Sequence, residues 1–247
     1  MMPDIADVSP HQFAPLIAPV IERLTLTVVQ KAMTRAAGTP VAGAAPPDAM
    51  RMLGQLRIAL LARPVTAAGL AAVYRYRVAE DIRRDVDGLR AAGLIDVAGN
   101  GAIAATDRGR AVLTQMYQVT AGIAGELWAG HGGLDEVSDL TGRVVQAALA
   151  SGGPAYATMA PPYEPADATA ELLLHTRLSA LRYHRADAHA AAWQAAGLTS
   201  TTITELAAGP ARDAIEAETN RRNGLAYATL SRDERARLLA SLAAVYV

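Results

Sequence analysis

The sequence predicts a mainly α-helical protein with one small β-hairpin set among its helices, and two observations carry that prediction. Apolar residues recur at three- and four-residue spacing, as in Phe13, Leu16, Ile17, Val20, Ile21, Leu24 and Val28, which is the stripe of an amphipathic helix. The period changes around residue 95. There the triplets Ile95-Asp96-Val97 and Ala102-Ile103-Ala104 flank Ala98-Gly99-Asn100-Gly101, and Asn-Gly between short apolar runs is a strong hairpin signal.

The first helical stripe stops at Ala36-Ala37-Gly38, and the Pro/Gly/Ala-rich stretch 39–48 reads as a linker. Helical pattern resumes over 50–61 and breaks at Pro64. It restarts behind Thr66, whose hydroxyl suits an N-cap for a short helix over 67–74. A third helix over 78–92 ends at Gly93-Leu94, a glycine followed by an apolar residue in the manner of a Schellman stop. After the hairpin, Thr106 caps a further helix. The segments 111–128 and 134–150 are helical, and 151–167 reads as a second linker. One helix is predicted over 168–196, stopped at Ala195-Ala196-Gly197-Leu198, and one or two more over 211–246 with Ser231 as N-cap. The chain thus divides into an N-terminal helix and linker (1–45), a central unit (46–116), connecting helices (117–160) and a C-terminal helical region (161–247).

Helix, turn, helix, hairpin, helix is the order of a winged helix-turn-helix. The segments Leu89-Arg90-Ala91-Ala92-Gly93-Leu94-Ile95 and Thr106-Asp107-Arg108-Gly109-Arg110 resemble the corresponding segments of MarR-type regulators. The resemblance spans 50–116 and implies a winged helix-turn-helix flanked by helices. It also implies double-stranded DNA as partner, a small-molecule effector and a homodimer formed through the flanks, where the N-terminal helix (1–45 section) and the C-terminal helices carry apolar stripes that a small winged helix cannot cover. The segment 181–193, together with 215–220, is similar to a poorly characterised actinobacterial helix-turn-helix family, a similarity that implies no reaction.

Composition narrows the classes. With 51% hydrophobic residues over 247, the chain can bury a sizeable core. A net charge of −1 gives no global attraction to nucleic acid, so any DNA contact must come from a local patch. The absence of cysteine excludes disulfides, thiolate catalysis and thiolate-held metals. Residues 1–9 lack a basic and an apolar signal region, and the uncharged stretch 144–163 is broken by Gly152-Gly153-Pro154 and Pro161-Pro162. A cytoplasmic protein without a membrane span is expected.

Two constellations are candidates for function. Arg75, Arg77, Arg83 and Arg84 lie before and on the third helix, where a winged helix meets the major groove. Glu80, Asp81, Asp85 and Asp87 are interleaved with them, and spacing pairs Glu80 or Asp81 with Arg84, so DNA contact competes with intrahelical pairing. The alternative is a winged helix used as the scaffold of a ligand-binding or biosynthetic protein. The second constellation is Tyr183, His184, Arg185, Asp187 and His189. Read functionally, it is an effector pocket with a His184–Asp187 pair and an arginine for an anion; read structurally, it is an interhelical hydrogen-bond network. Glu171 and His175 at i,i+4 are a weak metal pair. No catalytic constellation, resident metal or cofactor motif is read, and the expectation leans away from an enzyme.

Overall fold

A computed structural model describes residues 8–245; the expectations for residues 1–7 and for Tyr246 lie outside it. The described chain is mainly helical with one two-stranded antiparallel sheet. Its elements are α1 (Pro10–Ala36), α2 (Pro47–Gln55), α3 (Arg57–Leu60), α4 (Ala67–Val73), α5 (Ala79–Ala91), β1 (Ile95–Val97), β2 (Ile103–Ala105) and α6 (Asp107–Trp128). They continue as α7 (Leu134–Ala148), α8 (Pro154–Met159), α9 (Ala170–Ala195), α10 (Ser200–Glu205), α11 (Pro210–Tyr227) and α12 (Arg232–Ala244).

Local chemistry sets the ends of these helices. The hydroxyls of Thr66 and Thr106 accept from the amides of Gly69 and Gly109 at 3.0 and 2.9 Å, starting α4 and α6. Ser231 and Glu234 form a reciprocal capping box on α12. At the end of α5, Gly93 takes φ +68° and the Leu94 amide reaches back to the Leu89 carbonyl at 3.0 Å. Gly197 does the same for α9, with Leu198 bonded to Trp193 O at 2.9 Å. The hairpin pairs Ile95 with Ala105 and Val97 with Ile103. Val65, ahead of α4, exchanges both backbone hydrogen bonds with Ile103 at 2.8 Å, so the turn before α4 is tied to the hairpin.

Three local expectations change. The helix over 50–61 breaks at Leu56 into α2 and α3. A short helix, α8, stands inside the second linker, because Gly153-Pro154 starts it and a carboxylate from α9 accepts the Tyr156 amide at 2.7 Å. The further helix α10 was not anticipated from the sequence pattern.

Helix α9 is the hub, packed against α1, α6, α7, α8 and α11. One buried apolar cluster runs from Val8 to Val245 through nearly all elements, and a small second cluster gathers Ala190, Ala192, Trp193, Ile203 and Ile215. Most of the stripe of α1 is packed within the chain, where α1 meets α6, α9, α11 and α12, but Leu16 is left 43% exposed. Phe13 meets the edge of Tyr227 at 5.2 Å. Of the described helices, α1 alone is long and apolar enough to cross a membrane, and its stripe of Ile17, Ile21, Leu24 and Val28 faces this core instead.

Candidate functional site

The segment between α4 and α5 is held by α9. Arg75 donates to the Asp187 carboxylate, to Ala186 O at 3.2 Å and to Ala72 O at 2.8 Å. The indole of Trp193 donates to the Tyr76 hydroxyl at 3.1 Å. The side chains of Arg75 and Asp187 are only 14% and 6% exposed, so Arg75 is an internal clamp and not a surface cation. Arg77 bonds the buried Asp85 at 2.7 Å and lies over the Tyr74 ring at 5.5 Å. Arg83 and Arg84 stand on the outer face of α5, 70% and 68% exposed, paired with Glu80 and with Asp81 respectively. Arg90 likewise meets Asp87 at 3.0 Å. The four arginines expected together at DNA therefore divide into two that hold the fold and two that face solvent.

The second constellation also separates. Asp187 gives one oxygen to Arg75 and the other to the Tyr156 amide; its Cγ lies where a Cβ on Gly153 would be, 2.8 Å away, so only glycine admits it there. His184 bonds Ser151 Oγ and Asn223 Oδ1, both at 3.0 Å, and packs edge-on against Tyr156 at 5.3 Å. The expected His184–Asp187 pair is not made: Ser151 and Asn223 take both ring nitrogens of His184, and Asp187 turns to Arg75 and Tyr156. Burial pushes His184 below the ordinary histidine pKa and keeps it neutral, although Asn223 and Asp187 oppose that shift. Arg185 bonds Asn220 at 2.8 Å and Glu216, and His189 meets Thr219 at 3.2 Å, at the seam of α9 and α11. His184 and Asp187 are thus members of a satisfied interhelical network.

Tyr183 goes elsewhere. Its hydroxyl accepts from Gln55 Nε2 at 3.0 Å, and Gln55 lines a groove of about 530 Å³ between α2 and the α4–α5 segment. Met52, Tyr74 and Tyr76 also line it, with Arg51, Arg77 and Arg84 against Asp48, Asp81 and Asp85 at the rim. The volume lies within the roughly 300–1,000 Å³ of small-molecule sites. A larger crevice of about 650 Å³ opens beside Arg143 and Arg177, but those cations are bonded to Glu234 and Glu164 and to the carbonyls of Thr229 and Ser138.

Two buried residues that the sequence reading passed over meet where α3 faces α9. Arg57 is buried on α3, its guanidinium bonded to Gly54 O and to His175 Nε2, both at 2.8 Å. His175 is fully buried on α9 and is not paired with Glu171 as a metal ligand would be; no cluster of three or more metal-ligating side chains occurs among the described residues. The signal for this pair was an arginine in the apolar run Leu56-Arg57-Ile58-Ala59-Leu60-Leu61 and a histidine after three leucines.

Comparison with family models, with curated proteins and with solved structures finds no match to the chain.

Proposed function

We propose that the protein is a one-component transcriptional regulator in which α2 to α6 form a winged helix-turn-helix on double-stranded DNA and the α2–α5 groove holds a small-molecule effector. The observation that carries this reading is the exposed outer face of α5, a helix that follows α4 after a short turn and precedes the hairpin, with Arg83, Arg84 and Arg90 turned to solvent. Their carboxylate partners do not forbid DNA contact, since exposed pairs are worth about 0–1 kcal/mol and yield to a phosphate. Coupling has a physical route, because α9 reaches the α4–α5 segment through Arg75–Asp187 and Tyr76–Trp193 and the groove through Gln55–Tyr183. A homodimer belongs to this reading because paired recognition helices read paired half-sites; of the α1 stripe, Leu16 is left exposed and the greater part packs within the chain. A cytoplasmic location follows from the DNA partner.

Fluorescence anisotropy against fragments of the upstream region, over a salt series, tests the reading. The wild type is expected to lose affinity steeply with salt, and Arg83→Ala with Arg84→Ala to lower the slope by about 2. Absence of salt-dependent binding to any fragment defeats it and favours a winged-helix scaffold without DNA. That second reading rests on one observation: Arg75, Arg77, Arg83, Arg84 and Arg90 each face a carboxylate.

A further inference from the structure

Arg57 is a buried cation whose hydrogen-bond partners are a carbonyl and a neutral ring. Its guanidinium is taken up by Gly54 O and His175 Nε2, and its Nε–H has no partner. Arginine has donors only, so His175 must accept at Nε2 and carry its own proton on Nδ1. That Nδ1 is also buried and without a partner. Two N–H donors are therefore withdrawn from water without an acceptor, and the buried positive charge has neutral partners only, an arrangement that an anion at the Arg57 Nε–H would complete. Burial, with Arg57 and Arg182 adding to it, holds His175 well below the ordinary histidine range and hence neutral.

Other arginines remote from solvent in this chain are completed. Arg75 has Asp187, while Arg63 donates to three backbone carbonyls and Arg235 to two. Around Arg57 the electrostatic neighbours are the hydroxyls of Tyr117 and Tyr183. Tyr117 is directed away, donating to Tyr163 O at 2.6 Å and meeting Thr176 Oγ1 at 3.0 Å. Tyr183 is held by Gln55, and the side chain of Gln55 forms part of the groove wall.

We propose that Arg57 and His175 form a buried site for a small monovalent anion of carboxylate type, reached from the α2–α5 groove when the Gln55–Tyr183 hydrogen bond opens. A carboxylate oxygen accepts from the free Arg57 Nε–H and supplies the charge that the buried guanidinium lacks. The anion is either a free ion or the acid group of a larger molecule whose body fills the groove. This site names the chemistry of the proposed effector and relies on that reading for its biological role, though not for binding.

Formate and hexanoate, titrated into the full-length protein, probe the two sources. Trp128, whose ring centroid is 6.4 Å from that of His175, serves as fluorescence reporter, and the melting temperature as a second readout. A saturable fluorescence change with a rise in melting temperature is expected. Arg57→Met is expected to weaken the affinity about tenfold or more, because a charge-assisted contact is lost. Saturation by formate identifies a free ion, and tighter binding of hexanoate identifies the head of a larger ligand; both support the site. If wild type and Arg57→Met show the same non-saturating salt response, the proposal is overturned. Should Arg57→Met fail to fold, His175→Gln and the Nε–H resonance of Arg57 followed by NMR decide it, and an unmoved resonance overturns it. These readouts contain no DNA, so failure of DNA binding leaves them intact, and failure of anion binding leaves the Arg83–Arg84 salt slope intact.

Discussion

Asp187 joins two helices and the α4–α5 turn with one carboxylate: it sits on α9, completes the start of α8 at the Tyr156 amide and neutralises Arg75 beyond α4. Removing it leaves a buried guanidinium and an uncapped amide, so Asp187→Ala is expected to lower unfolding free energy by about 3–5 kcal/mol in urea titrations. The surface pair offers the contrast, and Glu80→Ala is expected to cost less than about 1 kcal/mol. The histidines set a pH dependence. His175 and His184 are kept below their unfolded pKa by burial first of all, so the unfolded chain binds protons that the folded chain refuses. Stability is therefore full above about pH 6.5 and is lost as pH falls below it. His175→Gln is expected to flatten that slope, measured as melting temperature between pH 7 and pH 5. An unchanged slope would assign the acid sensitivity to other groups.

At the scale of elements, glycine marks where backbones touch. A Cβ on Gly109 would stand 1.9 Å from Leu94 O, so α6 can start beside the hairpin only because that position is bare. Gly109→Ala is expected to destabilise by about 3 kcal/mol through overpacking against backbone that cannot yield. Gly125, in the same helix, has nothing within 4 Å of its would-be Cβ, and Gly125→Ala is expected to stabilise by about 0.5–1 kcal/mol through helix propensity. Thermal melts of the two variants should move in opposite directions. The hairpin with its Asn-Gly turn, the caps at Thr66, Thr106 and Ser231, and the glycine stops at 93 and 197 were legible from the sequence, because each rests on residues within a few positions of one another. Helix α8 was not legible. It is six residues long, it begins in a Gly-Pro stretch that resembles a linker, and a distant acid caps it.

Across the whole molecule, one apolar cluster extends from α1 to α12, so the sections 1–45, 46–116, 117–160 and 161–247 share a core. Unfolding followed by far-ultraviolet circular dichroism and by Trp128 fluorescence is expected to give coincident midpoints. Separate transitions would show that the helix-turn-helix segment opens on its own. Light scattering of the free and the DNA-bound protein tests the homodimer, for which α1 leaves Leu16 uncovered and packs most of its stripe within the chain.

Sequence alone determined the order of the long helices, the hairpin strands to within a residue, the caps and stops, and the mixture of arginines and acids along α5. These depend on rotations about neighbouring backbone bonds and on contacts three or four residues apart. Only the tertiary structure decided which arginines are surface and which are clamps, that His184 and Asp187 do not meet, and that Arg57 is buried against His175. Arg75–Asp187 and Arg57–His175 join residues 112 and 118 positions apart. Their partners are chosen by how α9 crosses the helices before it, and helical periodicity gives a side chain's direction from its own axis without saying which helix lies opposite.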